Sequence, residues 1–316
     1  MRLQRRTFAV DCTFVQPRVR RAIAVVLLAC GLVWGVFRRL PPGHGCALPR
    51  DELRVMTWNL RNYPGDHDRV WMERQIAAMR PDVVAFQEVL DPSAVAPLVP
   101  GFEVVVSEGG GRNAQHLAVA YDPALLDPVE PAHDEIVISL GGEVRPAFVV
   151  PLRTREGRTF DLVAVHLKAT AQGHPLRQEQ WQRLHRVLLA RPRPRIVLGD
   201  FNAAGGPGIT PERERAAVDA ILESAGMVRL PAEHGCTAYW HGRRYDAWLE
   251  PSELDLVYVS RDWIRHSDPL PSSRSGSHCK VHRCGPFRSS EAYPEASYMR
   301  ASDHCPMLVA LPWPSW

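Results

Sequence analysis

The feature that most constrains this chain is a succession of strand-length apolar segments interrupted by three helical ones. Short apolar segments bounded by turn residues predict buried strands, and apolar residues spaced three and four apart predict helices. Because strands and helices do not alternate strictly, the order predicts an α/β sandwich with mixed sheets rather than a barrel. The predicted strands are 54–60, 82–89, 102–108, 116–123, 135–139, 145–153, 160–169, 194–202, 254–260 and 307–312, the predicted helices are 70–80, 176–190 and 212–226, and 266–300 is predicted to be a long surface loop.

Length and charge restrict the possible functions. A chain of 316 residues with 45% hydrophobic residues is long enough for one large domain or two small ones. The first 50 residues contain nine of the 38 Lys and Arg but only one of the 35 Asp and Glu, so the remainder has a net charge of about −5. This argues against a strongly basic surface that coats nucleic acid, although a local basic groove remains compatible with it.

The N-terminal excess of arginine surrounds an apolar run. Residues 1–21 form a basic segment, 22–40 a signal or transmembrane anchor, and 41–52 a Pro- and Gly-containing linker to the main domain, 53–316. An uncleaved single-pass anchor is the simplest interpretation, and a secretory signal is the alternative. Since basic residues flank membrane segments on the cytoplasmic side, we expect a main domain outside the cytoplasm.

The seven cysteines do not form the paired spacing of a common zinc motif. In the polar segment 275–287, Cys279 and Cys284 are expected first to form a disulfide. A zinc site with His278 and His282 is the second expectation, and two free thiols are the third.

Polar residues recur at the ends of the predicted strands. Each has an ordinary explanation when taken alone, such as a turn cap, a surface pair or a buried histidine with a satisfied hydrogen bond. Strand ends at one edge of a sheet converge, so the joint occurrence predicts a single polar site. The residues are Asn59, Glu88, His166, Asp200, Asn202, Asp255, Asp303 and His304.

The motifs TWNL, QEV, VHLKA, GDFNA, LDLVYV and SDHCPM occur in this order between about residues 53 and 311. In that order they resemble the motif set of the endonuclease/exonuclease/phosphatase superfamily, which has the DNase I-like fold. The resemblance implies a four-layer α/β sandwich of two mixed sheets flanked by helices. It also implies a metal-dependent phosphodiesterase or phosphatase with an intact set of site residues.

The resemblance implies a metal site. Glu88 would be the principal ligand, with Asn59 and Asp303 nearby, directly or through water. These hard oxygen donors suit Mg²⁺, or Mn²⁺, better than Zn²⁺.

The remaining residues would act on the phosphate. His304 would face the scissile phosphate with Asp255 orienting its ring, and His166 would be a second phosphate-facing histidine. Asp200 and Asn202 would position the attacking water, and the general base is left open between the Asp and His positions. Two further assignments complete the set: Arg145 is either a phosphate contact or a solvated strand-start residue, and Cys305 is expected in the core rather than as a nucleophile.

Substrate choice depends on loops rather than on the fold. The segment 237–248, TAYWHGRRYDAW, interleaves aromatic residues with Arg243 and Arg244, which is typical either of a loop that grips nucleic acid or of a packed β-hairpin. The leading hypothesis is a membrane-anchored or exported, monomeric nuclease. The alternatives are a phospholipase C-type or phosphoinositide-type phosphoesterase and a non-catalytic binding module of the cell envelope.

Overall fold

A computed structural model of the chain describes residues 52–108, 110, 114–241 and 247–313. In chain order the strands are β1 (Glu52–Tyr63), β2 (Val83–Val89), β3 (Glu103–Val106), β4 (His116–Tyr121), β5 (Leu126–Pro128), β6 (His133–Glu135), β7 (Ala147–Thr154), β8 (Thr159–His166), β9 (Arg195–Asp200), β10 (Met227–Arg229), β11 (Ala238–His241), β12 (Trp248–Ser252), β13 (Asp255–Ser260), β14 (Arg274–Ser275), β15 (Phe287–Arg288) and β16 (Met307–Pro312). The helices are α1 (Arg69–Met79), α2 (His174–Leu189), α3 (Pro211–Ser224), α4 (Ser277–His282) and α5 (Ala296–Arg300).

The strands form two large mixed sheets and one small sheet. The first sheet has the order β14-β16-β1-β2-β4-β3, the second has the order β10-β13-β9-β8-β7-β5 with β6 also paired to β7, and the small sheet is β11-β12-β15. In the first sheet β1 and β2 run parallel, and in the second β8 and β9 run parallel, while the neighbouring pairs are antiparallel.

Three apolar layers hold the sheets and helices together. Between the sheets lies a cluster that includes Val55 and Ala85 from one sheet and Leu162 and Leu198 from the other. Helix α1 packs on the outer face of the first sheet, and α2 and α3 pack on the outer face of the second. The α/β four-layer sandwich with two mixed sheets is therefore confirmed.

Local sequence signals set the helix boundaries. Asp68 caps α1 by accepting a hydrogen bond from Trp71 N at 2.9 Å, and Pro81 follows the helix end. Thr210 and Pro211 open α3, and beyond its end Gly226 has a φ of +76°, a conformation that glycine adopts without strain. These signals place both helices within two residues of the predicted positions.

Two predictions about local structure were wrong. Residues Ile136–Ser139 form a 3₁₀ turn rather than a strand, because Ile136 and Val137 are both exposed and Ser139 Oγ closes the turn on Ile136 O at 2.7 Å. The segment 266–300 is not a surface loop. It contains α4, α5, β14 and β15, and its Cys279 and Tyr298 side chains are buried.

In the part of the chain that the structure describes, no helix has the length and apolar character needed to cross a bilayer. The predicted basic segment, the predicted anchor 22–40 and the linker as far as residue 51 lie outside the described residues.

Candidate active site

Three of the predicted residues lie side by side across the second sheet. His166 ends β8 opposite Asp200 of β9, and Asp200 lies opposite Asp255, the first residue of β13. Register partners point to the same face of a sheet, which here is the face that packs between the two sheets. We call His166, Asp200 and Asp255 the catalytic row, after the role proposed for them below, and it closes one end of the inter-sheet core.

Gly199 allows the row to form. A Cβ at this position would lie 2.0 Å from the carbonyl oxygen of Val165, and the backbone φ of Gly199 is +136°. Only glycine permits β8 and β9 to approach this closely, which explains the glycine of the GDFN motif.

The first sheet supplies the opposite wall. The amide of Asn59 donates hydrogen bonds to Glu88 Oε1 at 3.2 Å and to Asp200 Oδ2 at 3.0 Å, so one side chain joins the two sheets. Strict alternation along β2 would direct Gln87 rather than Glu88 toward the core. A register shift between Phe86 and Val89, with a φ of +58° at Glu88, turns the carboxylate into the site.

His304 approaches the row from the segment before β16. Its Nδ1 lies 2.8 Å from Asp255 Oδ2, and its backbone carbonyl accepts a hydrogen bond from Trp58 Nε1 at 3.0 Å. Ser302 Oγ donates to Asn59 O at 2.7 Å and accepts from His304 N at 3.1 Å. These contacts fix the imidazole against Asp255 with its Nε2 3.8 Å from Asp200 Oδ2.

The two histidines are driven toward opposite protonation states. Burial alone would lower the pKa of His304, but the charges of Asp255, Asp200 and Asp303 outweigh it and raise that pKa well above the usual value. Burial, assisted by the positive charges of Arg145 and His304, lowers the pKa of His166 well below its usual value. His304 is therefore the charged histidine near neutral pH, and His166 is the neutral one.

Asp200 lies between the histidines. Its Oδ2 is 3.4 Å from His166 Nε2, and its Oδ1 accepts a hydrogen bond from Asn202 N at 2.8 Å. Burial raises the pKa of Asp200 to about 7, with the positive charge of His304 opposing the rise and Asp255 adding to it. A carboxyl group with a pKa near 7 can both accept and release a proton under neutral conditions.

Two predicted residues support the site through backbone contacts. Asn202 has a φ of +51° and donates from Nδ2 to Leu167 O at 3.2 Å. Arg145 donates to His166 O and Leu167 O, both at 3.2 Å, and to Gln115. Arg145 is thus not a solvated strand-start residue, because its guanidinium lies over the loop that leaves His166.

Asp303 lies at the edge of the group. Its half-buried carboxylate accepts a hydrogen bond from Ser302 Oγ at 3.4 Å, and its backbone carbonyl accepts one from Tyr239 N at 2.9 Å. Its side chain forms no direct hydrogen bond with Asn59 or Glu88 among the described residues, although its charge contributes to the raised pKa of His304.

The donor chemistry of the site fits a hard divalent cation. Glu88 is partly accessible, at 19% of its side chain, and its Oε1 lies 3.7 Å from His166 Nε2. Carboxylate and amide oxygens are the ligands that Mg²⁺, Mn²⁺ and Ca²⁺ prefer. Glu88, Asn59 and Asp303 provide such oxygens without thiolate ligands, so the residues present fit the metal that the motifs imply.

Sequence reasoning missed a buried ion pair beneath the site. Arg177 of α2 donates to both carboxylate oxygens of Glu214 of α3, at 2.7 and 3.0 Å, and both side chains are fully buried. The same guanidinium donates to the carbonyls of Lys168, Thr170 and Gly205, which belong to the loops that follow His166 and Asn202. We call Arg177 and Glu214 the loop clamp. The sequence gives no signal for it, since both residues lie within ordinary charged helix segments.

The expected pairing of Cys279 with Cys284 was wrong. Cys279 is bonded to Cys305 and Cys284 to Cys236. The short helix α4 points Cys279 inward toward the segment before β16, while the turn after α4 carries Cys284 to the β11 side. Cys305 is a core residue as predicted, but it is also cross-linked. The zinc expectation does not hold, because the four cysteines that the structure describes are all in disulfides.

The two disulfides lie next to His304 in the fold. Cys305 follows His304 directly, and Cys236 precedes Thr237, whose Oγ1 accepts a hydrogen bond from Asp255 N at 2.8 Å. Thr237 O in turn accepts from Cys305 N at 2.8 Å. Thr237 therefore connects the His304 and Asp255 segments, a role that sequence reasoning also missed.

A family model described as the Endonuclease/Exonuclease/phosphatase family matches residues 56–304, which include every predicted site residue. The chain belongs to this family. It is therefore a metal-dependent phosphoric ester hydrolase with the DNase I-like fold, as the motifs predicted. A search of curated protein sequences returned no match.

Several solved structures share the fold. TDP2 of D. rerio complexed with a single-strand DNA product has a TM-score of 0.58 and 15% identity, covering 82% of this chain and 98% of that one. The human Nocturnin catalytic domain with bound sulfate has a TM-score of 0.54 and 19% identity, covering 83% and 95%. A mannosyl-6-phosphatase of Bacteroides thetaiotaomicron has a TM-score of 0.54 and 19% identity, covering 82% and 99%. At these identities the likeness shows the fold alone.

Proposed function

We propose that the protein is a Mg²⁺-dependent nuclease, with Mn²⁺ as an alternative cation. The observation that carries the proposal is the position of Asp200 between two histidines, with its Oδ2 3.4 Å from His166 Nε2 and 3.8 Å from His304 Nε2. The opposite directions in which the pKa values of the two histidines are shifted support it. Phosphodiester hydrolysis needs one group that accepts a proton from water and another that supplies positive charge to phosphate oxygens.

In the proposed mechanism, Asp200, whose pKa lies near neutrality, accepts a proton from the attacking water as the water oxygen bonds to phosphorus. The ester P–O bond breaks, and the leaving oxygen takes its proton from solvent. The charged His304, held by Asp255 at 2.8 Å, faces the phosphate and stabilises the negative charge that develops on its oxygens. His166, whose pKa is lowered, would be a second phosphate-facing histidine, with its Nε2 3.4 Å from Asp200 Oδ2. Asn202 keeps the Asp200 carboxylate in place through its backbone N–H.

Glu88 would hold the metal, with Asn59 and Asp303 as further oxygen donors, directly or through water. A bound divalent cation supplies electrostatic stabilisation of the transferring phosphoryl group. Arg145 lies within electrostatic range of Asp200 and Glu88, and in this proposal it adds positive charge to the phosphate side of the site.

The substrate we favour is a nucleic acid strand. The D. rerio TDP2 structure of the same fold contains a DNA product, and a hairpin with an exposed tryptophan stands next to the site of this chain. A phosphoester lipid is the other substrate that a membrane-tethered enzyme of this family would meet, and it is an outcome of the test below.

We further propose that the catalytic domain lies outside the cytoplasm, exported or held by the predicted anchor 22–40. The two disulfides support this location, because such bonds persist in oxidising compartments and are rare in the cytosol.

A substrate panel tests the function. The purified chain is offered plasmid DNA, RNA, sphingomyelin and phosphoinositides, each with Mg²⁺ and with EDTA. Nucleic acid cleavage that requires Mg²⁺ is the expected result, and lipid cleavage without nucleic acid cleavage would contradict the nuclease assignment. His304→Ala and Glu88→Ala should each lower the rate at least 100-fold, whereas the exposed Glu179→Ala on α2 serves as control and should leave it unchanged.

A further inference from the structure

A second concave surface adjoins the catalytic row. It is a cleft of about 1050 Å³, close to the upper limit of small-ligand sites. Its floor is formed by residues that directly continue the catalytic strands, among them Thr170 after β8, Ala204 after Asn202, and Leu254 before Asp255. The cleft therefore begins where the catalytic row ends.

Trp240 forms one wall of this cleft. Ala238 pairs with His304 in an isolated β-bridge, and Trp240 follows two residues later on the same face of β11. Two strand residues advance the chain by about 7 Å. The indole thus stands next to the histidine that faces the phosphate, within reach of a group attached to that phosphate.

The opposite face of the hairpin is anchored. Tyr239 is buried against Phe287, with ring centroids 4.7 Å apart, and its hydroxyl donates to Gly285 O at 3.0 Å. Leu249 of β12 is fully buried in the same cluster. Because these contacts fix the strand, Trp240 is held toward the cleft with 52% of its surface exposed.

The charges of the described residues that line the cleft disfavour a second phosphate. Among these residues the arginine is Arg215, which is paired with Glu253 at 3.0 Å and with Glu212 at 3.3 Å. Glu250, the register partner of Trp240, adds a third carboxylate. A flat aromatic wall beside a carboxylate suits an uncharged planar ring with N–H groups at its edge.

We propose that this cleft is a nucleobase subsite. The base of a nucleotide next to the scissile phosphate stacks on Trp240 and directs its N–H edge toward Glu250. This inference rests on the proposed nuclease function and deepens it, since it assigns base binding to a surface outside the catalytic row.

The test compares two short single-stranded oligonucleotides, one with an ordinary base and one with an abasic residue beside a single cleavable phosphate. The wild-type chain should cleave the base-containing strand about 10-fold more efficiently in kcat/KM, given the usual strength of base stacking. Trp240→Ala should remove this preference, and Trp240→Phe should restore most of it. In EDTA, fluorescence anisotropy of the labelled strands should show the same loss of base-dependent binding.

Trp248→Ala is the matched control, because Trp248 is a similarly exposed tryptophan of the same hairpin, at 46%, that does not line the cleft. It should keep the wild-type preference for the base. Equal behaviour of Trp240→Ala and wild type on both strands would overturn the subsite while leaving the nuclease function intact. A wild-type chain that cleaves no nucleic acid would overturn the proposed function and the subsite with it.

Discussion

Replacing Glu214 by glutamine should strongly destabilise the domain. The carboxylate accepts hydrogen bonds from Arg177 and from Gly205 N, and His174 Nδ1 lies 2.9 Å from it. Glutamine has the same shape but removes the charge and turns an NH₂ group toward these donors. Breaking a buried ion pair by removing one partner costs about 3–5 kcal/mol. For a domain of this size, that loss corresponds to roughly 6–20 °C in Tm.

Urea unfolding followed by circular dichroism measures this loss. Glu212→Gln is the matched control on the same helix, since Glu212 is 73% exposed and its pair with Arg215 should contribute less than about 1 kcal/mol. A free energy of unfolding for Glu214→Gln within about 0.5 kcal/mol of wild type would show that the loop clamp does not hold the loops as the structure indicates.

A double variant separates the effect of the Arg177–Glu214 ion pair from the effect of the hydrogen bonds that Arg177 donates to the loop carbonyls. Replacing a whole buried ion pair by apolar residues is often close to neutral. Here Arg177 also donates to the carbonyls of Lys168, Thr170 and Gly205, which an apolar residue would leave unpaired. Arg177→Met combined with Glu214→Leu should therefore remain destabilised, and full recovery of stability would contradict this account.

Three further outcomes are expected. Asp255→Asn should lower the pKa of His304 in an NMR titration. Because the pKa of His304 is raised in the folded state, its pairing with Asp255 stabilises the fold fully below about pH 6.5, and this stabilisation is lost as the pH rises through the folded-state pKa. The variant should thus lose more stability at low than at high pH, and an unchanged pKa would contradict the pairing. Cys236→Ser with Cys284→Ser should cost about 4 kcal/mol in urea unfolding, from the 48-residue separation, and no loss would argue against this disulfide. Chelation should abolish hydrolysis, and added Mg²⁺ should restore it in wild type but not in Glu88→Ala.

The sequence predicts the catalytic row well because it lies at strand ends. His166, Asp200 and Asp255 each occur where a buried apolar segment meets a polar residue, and strand register then brings them together. The orientation of Glu88 is harder to predict, because the alternation of side chains along β2 would direct Gln87 rather than Glu88 toward the site. Only the irregular backbone of β2 turns the Glu88 side chain into it.

What the sequence could not predict depends on contacts between distant segments. Cys279 pairs with Cys305 across 26 residues rather than with its neighbour Cys284, because local spacing says nothing about which way α4 faces. Arg177 and Glu214 are 37 residues apart, and a charged residue on a helix gives no sign of being buried.

The close packing at Gly199 fixes the position of every residue in the strand that carries the GDFN motif. A one-residue insertion earlier in β9 would bring Leu198 to the position where any Cβ meets the Val165 carbonyl, and a deletion would bring Asp200 there. Either change would also turn the carboxylate away from the inter-sheet face. Length variation in this protein should therefore be excluded from the six residues of β9.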